Sequence, residues 1–240
     1  MNEDLIHRIP NARSIAVLTG AGISAASGVP TFRGRDGLWK NFRPEELANF
    51  SAFHNNPLLV WEWYLWRRDL IAKVKPNAAH YALVDLEKIS KDFSLITQNV
   101  DNLHNLAGSQ NIIELHGNIM RNKCSQCNKP YPEEINLEKG VPSCNECGGT
   151  IRPDVVWFGE FLPQDAIQKA YNIAQNSEIF IIVGTSGVVE PAASLPFIAK
   201  QNRALLIEIN PEQTPITAIS DLFFQDSADK VLPRIIMEIQ

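Results

Sequence analysis

Ser14-Ile15-Ala16-Val17-Leu18-Thr19-Gly20-Ala21-Gly22-Ile23-Ser24-Ala25-Ala26-Ser27-Gly28 is the stretch that decides the fold. Its first six residues are a short apolar run, partly β-branched, that stops at glycine. Such a run predicts a strand buried on both faces, the mark of a parallel sheet. Gly20, Gly22 and Ala25 then fit G-x-G-x-x-G/A between that strand and a plausible helix. In that setting the first glycine permits a tight turn and the second lets a pyrophosphate approach the backbone. The helix N-terminus behind them favours the negative charge. The alternative is a purely structural glycine turn. Ordinary hydride-transfer folds also carry an acidic residue closing a second strand about 20 residues on. Here that region is Arg33-Gly34-Arg35-Asp36-Gly37-Leu38-Trp39, a polar loop in which Asp36 ends no strand. Dehydrogenase chemistry is disfavoured accordingly.

Outward from this stretch the same rhythm recurs. Ile179–Val183 and Ala204–Ile209 are further apolar runs, and Phe93–Thr97 and Ile112–Leu115 are weaker ones. Between them lie helix-period segments. Ala166, Ile167, Ala170, Ile173 and Ala174 follow Pro163, which suits a first turn. Asn77–Ile89 places Ala78, Tyr81, Ala82, Leu86 and Ile89 near one face. Strands alternating with helices predict a parallel sheet covered on both sides. Two stretches break the rhythm: Phe42–Lys75, helical and rich in tryptophans that read as core, and Lys123–Ile151, which carries every cysteine. The fold class is α/β, a Rossmann-like parallel sheet domain formed by 1–40, 92–122 and 152–240. Inserted into it is a small domain made of a helical module, 41–91, and a zinc ribbon, 123–151.

Composition narrows the function. The chain has 240 residues, 45% hydrophobic and 20% charged, with a net charge of −5. Those values exclude a disordered or coiled-coil chain. They also lack the basic footprint of a nucleic-acid binder, so no direct nucleic-acid binding is expected. No apolar run approaches the ~20 residues that span a bilayer, so no membrane association is expected. Met1-Asn2-Glu3-Asp4 has neither a basic nor an apolar leader segment, which predicts a cytoplasmic protein.

The cysteines fall as Cys124-x-x-Cys127, 16 residues, then Cys144-x-x-Cys147. This spacing fits a Cys₄ zinc ribbon better than two disulfides or a redox pair. Gly148 and Gly149 give the second knuckle positive-φ freedom, and Lys123 and Lys129 offset excess thiolate charge. Four protein ligands leave no open position, so the zinc is expected to be structural.

Three more segments are distinctive. Thr97-Gln98-Asn99-Val100-Asp101-Asn102-Leu103-His104 follows one strand, Glu114-Leu115-His116-Gly117-Asn118 the next, and Gly184-Thr185-Ser186 a third. With Gly20–Ser24 and Pro30-Thr31-Phe32-Arg33, the chain resembles the sirtuins, NAD-dependent protein deacylases, along nearly its whole length. The resemblance implies that Gly20, Ala21, Gly22, Ile23 and Ser24 hold the NAD diphosphate. Phe32 and Arg33 belong to the loop that closes over the nicotinamide ribose, and Trp39 is a further cofactor-binding residue. Gln98, Asn99 and Asp101 match the nicotinamide and ribose pocket. Gly184, Thr185, Ser186 and Asn210 match the adenosine half, with Ala228 as the last adenine contact. His116 matches the general base, a role its intrinsic pKa suits. Val156, Trp157, Phe158, Gly159 and Glu160 match a strand that pairs with the substrate peptide, as do Val188 and Val189. The implied products are free lysine, nicotinamide and 2′-O-acyl-ADP-ribose, and the implied partners are acyl-lysine proteins or peptides. The other histidines, His7, His54 and His80, read as structural, and His104 is undecided. An ADP-ribosyltransferase, or a ribbon binding module on an inactive Rossmann domain, is the rival reading.

Tyr64 and Arg67, three apart, share a helix face. This pair is similar to one in the sirtuin class that prefers succinyl and malonyl lysine, and Ala48 leaves room in the pocket. Arg67 could grip a distal carboxylate and Tyr64 donate its hydroxyl, against the alternative of a solvated arginine beside a core tyrosine.

Overall fold

The computed structural model describes residues 8–31 and 47–239. The expectations for Phe32, Arg33, Asp36 and Trp39, and for the first seven residues, lie outside the described residues.

Six parallel strands form the central sheet: β1 (Ile15–Thr19), β2 (Phe93–Thr97), β3 (Ile112–Glu114), β6 (Ile179–Val183), β7 (Leu205–Ile209) and β8 (Leu222–Phe224). Their order is β3-β2-β1-β6-β7-β8. Every residue of β1, β2, β6 and β7 is buried, as continuous apolar runs require. Alternate side chains feed opposite faces. Val17, Leu95, Ile181 and Ile207 join helices Ala78–Ile89 and Ala228–Ile239 on one side. Leu18, Ile96, Ile182 and Leu206 join helices Gln164–Asn176 and Leu195–Gln201 on the other. The chain is therefore α/β with a Rossmann-like sheet.

Several local expectations shift. Helix Gln164–Asn176 starts after Pro163, which is its N-cap rather than part of its first turn. Asn77 caps Ala78–Ile89 from outside, with His80 completing a reciprocal cap. The buried face of that helix is Ala79, His80, Ala82, Leu83 and Leu86, whereas Tyr81 and Ile89 are exposed. The aromatic stretch is two helices, Phe50–Asn55 and Pro57–Ala72. They part at Asn56, whose side chain accepts from the Leu59 amide, with Pro57 in the first turn. Trp61, Trp63 and Trp157 are core, but Trp66 is exposed. Beyond Gly20 the chain winds as a 3₁₀ turn, Ala21–Ser27, in place of the expected α-helix.

β4 (Gly117–Cys124) and β5 (Ile151–Val155) pair antiparallel and carry the cysteine ribbon. Their core merges with the aromatic helices: Trp61 donates its indole N–H to the Ile151 carbonyl at 2.8 Å. No helix among the described residues is long and apolar enough to cross a membrane.

Candidate functional site

Parallel register aligns the carboxyl ends of the strands on one rim: Thr19 lies opposite Thr97 and Val183, and Val183 opposite Ile209. Strand order reverses between β1 and β6, and open sheets of this type bind ligands where it does. Gly20–Ser24 and Gly184–Ser186 meet there. The Gly20 amide donates to the Val183 carbonyl at 2.9 Å, and the Gly22 amide to the Gly184 carbonyl at 2.8 Å. A Cβ on Gly22 would lie 2.7 Å from the Gly184 Cα, and Gly184 has φ +59°. The glycines are thus required by loop-on-loop contact. That contact is a second reason for the absence of a side chain at Gly22, beside the expected approach of a phosphate to its backbone.

Beside this contact sits a buried polar floor. Ser24 donates to an Asp101 carboxylate oxygen at 2.7 Å, and the Leu103 amide donates to the other at 3.0 Å. Asn99 donates its amide to the Gly20 carbonyl at 3.1 Å. Burial pushes the Asp101 carboxyl up, against the pull of those donors. Thr185 is held from two sides. Gln98 Nε2 donates to its hydroxyl at 2.9 Å, and Asn210 Nδ2 to its carbonyl at 2.7 Å. Ala21 and Ser186 lie half-buried on this rim and Ile23 is buried beneath it. Ala228 is buried at the start of the last helix, within the core.

His116 follows β3. Its Nδ1 lies 2.8 Å from the Gln98 carbonyl, which can only accept, so Nδ1 carries the proton and the neutral ring keeps its lone pair on Nε2. Burial holds the imidazole below its ordinary value, only partly opposed by that hydrogen bond. Two further histidines, read as structural or undecided from the sequence, join the floor. His80 and His104 lie with ring centroids 4.9 Å apart. His104 Nε2 contacts the Thr19 hydroxyl at 3.0 Å and His80 Nε2 contacts Ser24 at 3.5 Å. Burial depresses them to about 3 and about 4 respectively. The one sequence signal for His80 was a polar residue amid the apolar positions of its helix.

Across the rim, Val156–Glu160 is not a regular strand: β5 ends at Val155, Phe158 makes one bridge to Asn49, and the Glu160 amide closes a turn on the Trp157 carbonyl at 3.0 Å. The Val156 amide donates to the His116 carbonyl at 2.9 Å and the Phe158 amide to Ala48 at 3.0 Å. Phe158 and Gly159 are exposed, as is Val188, with Val189 half-buried. Tyr64 and Arg67 are both buried, so the solvated-arginine alternative is ruled out. The Arg67 guanidinium lies 4.8 Å from the Trp63 ring centroid and 5.6 Å from that of Tyr64. Burial lowers its pKa, opposed by Tyr64 and Asp101. Trp157 donates its indole N–H to the Tyr64 hydroxyl at 2.8 Å. Neighbouring Arg68 is occupied differently: it donates to the Ile119 and Arg121 carbonyls and fastens the helix to β4.

The four cysteines are free thiols whose sulfurs all lie within 4.8 Å of one another. Cys124 and Cys147 sulfurs are 3.4 Å apart, and Cys127 and Cys144 3.8 Å. Those separations fit a tetrahedral Zn²⁺ with bonds of ~2.3 Å. The Gln126 and Cys127 amides point at the Cys124 sulfur at 3.4 and 3.5 Å. Burial would raise the Cys124 thiol, but those amides and the neighbouring thiols bring it down to about 6. Gly148 has φ +74°, as expected; Gly149 does not need a positive φ but space, since a Cβ there would lie 2.8 Å from the Cys124 sulfur. Lys129 and Lys123 stand near the cluster, paired with Glu146 and Asp154.

Residues 20–191 match the model of the Sir2 family. An NAD-dependent protein deacylase of Aquifex aeolicus (strain VF5) is 56% identical over 223 residues, covering 92% of this chain and 93% of its own. Among solved structures, a Sir2 homolog–NAD complex is 45% identical with a TM-score of 0.92, covering 100% of this chain and 94% of that one. A Sir2–p53 peptide–NAD⁺ complex is 35% identical with a TM-score of 0.88, covering 99% and 98%.

Proposed function

This chain belongs to the Sir2 family and is an NAD-dependent protein deacylase of the sirtuin type; from that premise we propose that it removes succinyl and malonyl groups from lysine side chains, and acetyl more weakly. The observation that carries this reading is the buried pair Tyr64 and Arg67. A permanently charged guanidinium is costly to bury, and a carboxylate-bearing acyl group entering beside it offsets that cost. The Tyr64 oxygen already accepts from Trp157, so its own proton is left to donate to such a carboxylate.

NAD supplies the electrophilic ribose carbon and the nicotinamide leaving group. Gly20–Ser24, Gly184–Ser186 and Asn210 would hold its diphosphate and adenosine parts, and Gln98, Asn99 and Asp101 its nicotinamide ribose. The burial of Asn99 and Asp101 would keep water from the reacting carbon, as cleavage without hydrolysis requires. His116, with Nδ1 fixed on Gln98, presents Nε2 to take the proton of a ribose hydroxyl, the role of general base. The acyl-lysine peptide lies against Phe158–Gly159 and Val188–Val189. The zinc would hold the ribbon and take no part in the reaction.

The test is mass spectrometry of matched succinyl, malonyl and acetyl peptides incubated with NAD. The expected result is faster removal of the acidic groups and formation of 2′-O-acyl-ADP-ribose. Peptides that instead gain ADP-ribose would overturn the reading in favour of an ADP-ribosyltransferase. Arg67→Met should lower kcat/KM for the succinyl peptide, relative to the acetyl one, by about 10-fold or more, the worth of one charge-assisted hydrogen bond. An equal loss on both would place Arg67 in the fold alone.

A further inference from the structure

One side chain joins the peptide segment to the acyl pocket, and it is held by Arg152 from β5 and by Glu160 at the end of its own segment. Trp157 is buried, with its indole N–H on the Tyr64 hydroxyl at 2.8 Å. Its ring packs on Phe53 at 5.1 Å between centroids. The Arg152 guanidinium covers its other contact surface, with Cζ 3.3 Å from a ring centroid. Arg152 comes from β5, is only 4% exposed, and donates to the Val155 carbonyl at 2.9 Å and to both Glu160 carboxylate oxygens. Glu160 closes the loop by accepting from the Trp157 backbone amide at 2.8 Å. The tryptophan is therefore fixed at its backbone, over its ring and at its nitrogen.

Such fixation has a chemical consequence at Tyr64. A phenol can rotate its proton to either side of the oxygen. An indole nitrogen can only donate, so while Trp157 points at Tyr64, the phenolic proton cannot point at Trp157. Arg67, which has no acceptor either, hydrogen-bonds the same side chain. Both neighbours thus force the Tyr64 proton away from themselves, toward whatever acceptor enters the pocket.

We propose that Trp157, clamped by Arg152 and Glu160, is a specificity-determining positioning residue: it fixes the Tyr64 hydroxyl as a hydrogen-bond donor to the distal carboxylate of the acyl group. The inference rests on the acidic-acyl reading above. It makes the ribbon strand that carries Arg152 part of the selectivity device.

The experiment measures kcat and KM for matched succinyl and acetyl peptides in the wild-type enzyme, Trp157→Phe, Tyr64→Phe and the double variant. Both peptides lie on the same backbone, so any shared loss cancels in their ratio. Trp157→Phe keeps the ring and removes the donor. It should raise the succinyl-to-acetyl KM ratio about fivefold, the size of one ordinary hydrogen bond. In the Tyr64→Phe background the same change should move the ratio no further, because the hydroxyl it acts through is gone. An unchanged ratio, or full additivity in the double variant, would overturn the proposal. Should Trp157→Phe fail to fold, Glu160→Gln decides: it keeps the indole N–H and loosens the clamp, and it should shift the same ratio in the same direction by a smaller factor. Equal effects of that variant on both peptides would also overturn the proposal. Failure of the underlying reading has a separate signature, a wild-type enzyme without succinyl preference in which Arg67→Met moves both peptides alike.

Discussion

The central sheet and the layer of ribbon plus aromatic helices achieve order by different means. In the sheet, four strands are buried from end to end and feed two apolar cores. Full burial of each Ile, Leu or Val side chain there contributes roughly 1.5–3 kcal/mol. The other layer has one two-stranded sheet with a register shift between Gly117 and Asn122. Between β4 and β5 the chain has only a 3₁₀ turn and isolated bridges. A segment that short cannot close a core unaided and needs a metal or another staple. The contrast teaches that hydrophobic patterning suffices for the sheet, whereas the ribbon borrows its apolar core from the aromatic helices and needs sulfur contacts to close the rest.

The strongest way to break this contrast is to remove the metal ligand. Cys144→Ser, or exhaustive chelation, should abolish hydrogen-exchange protection in β4, β5 and the segment between them. The amides of β1, β2, β6 and β7 should stay protected. Structural zinc contributes about 10–16 kcal/mol in isolated finger peptides, so partial protection is not expected. A metal-free protein with a fully protected ribbon would erase the distinction. Next in size is His116→Ala, at the seam where β3 hands over to β4. Deacylation should fall by about 10²–10⁴, with NAD binding measured by calorimetry preserved. Loss of NAD binding would instead assign His116 to the floor. Because burial holds His116 below its ordinary value, the acid limb of the wild-type rate profile should lie below the usual histidine range near pH 6.5.

The last effect concerns the polar flaw in the sheet half. His80 and His104 are held neutral, at about 4 and about 3. Unfolded, each binds a proton near pH 6.5. Below that value the unfolded chain therefore binds more protons than the native one, and stability falls as the pH falls. The contribution of these histidines is complete above about pH 6.5 and declines from there to about pH 4 for His80 and about pH 3 for His104. The slope is about 1.4 kcal/mol per pH unit for each histidine. Urea midpoints between pH 7 and 4.5 measure it, and His104→Phe should flatten it. A wild-type midpoint independent of pH would show that the pair protonates freely in the folded state.

Legibility in the sequence followed the same division. Strands such as Ile179–Val183 were plain because both faces are apolar, so no periodicity had to be judged. Helix Ala78–Ile89 was plain in its extent but misphased, because His80 is buried where the apolar pattern points to Tyr81. Strand β8 has three residues, too short to stand out. Helix Ala228–Ile239 was obscured by Pro233 inside it, which reads as a terminator. Within the site, Asn99, Asp101 and His116 were legible because they stand in compact motifs after strands. His80 and Arg152 were not. His80 meets Ser24 across 56 positions of chain, and the Arg152 role passes through Trp157 to Tyr64, 93 positions away.

The hydrogen bond from His116 to the Gln98 carbonyl carries one more consequence, for inheritance. The group that sets the tautomer of the base belongs to the main chain. Every substitution at position 98 retains it, so the reaction's proton acceptor is oriented by something that point mutation cannot delete. The proposed acyl reader, by contrast, hangs on the side chains of Tyr64, Arg67 and Trp157, each removable by a single replacement. On that proposal, descendants of this chain can exchange one acyl preference for another while the chemistry beneath it continues unaltered.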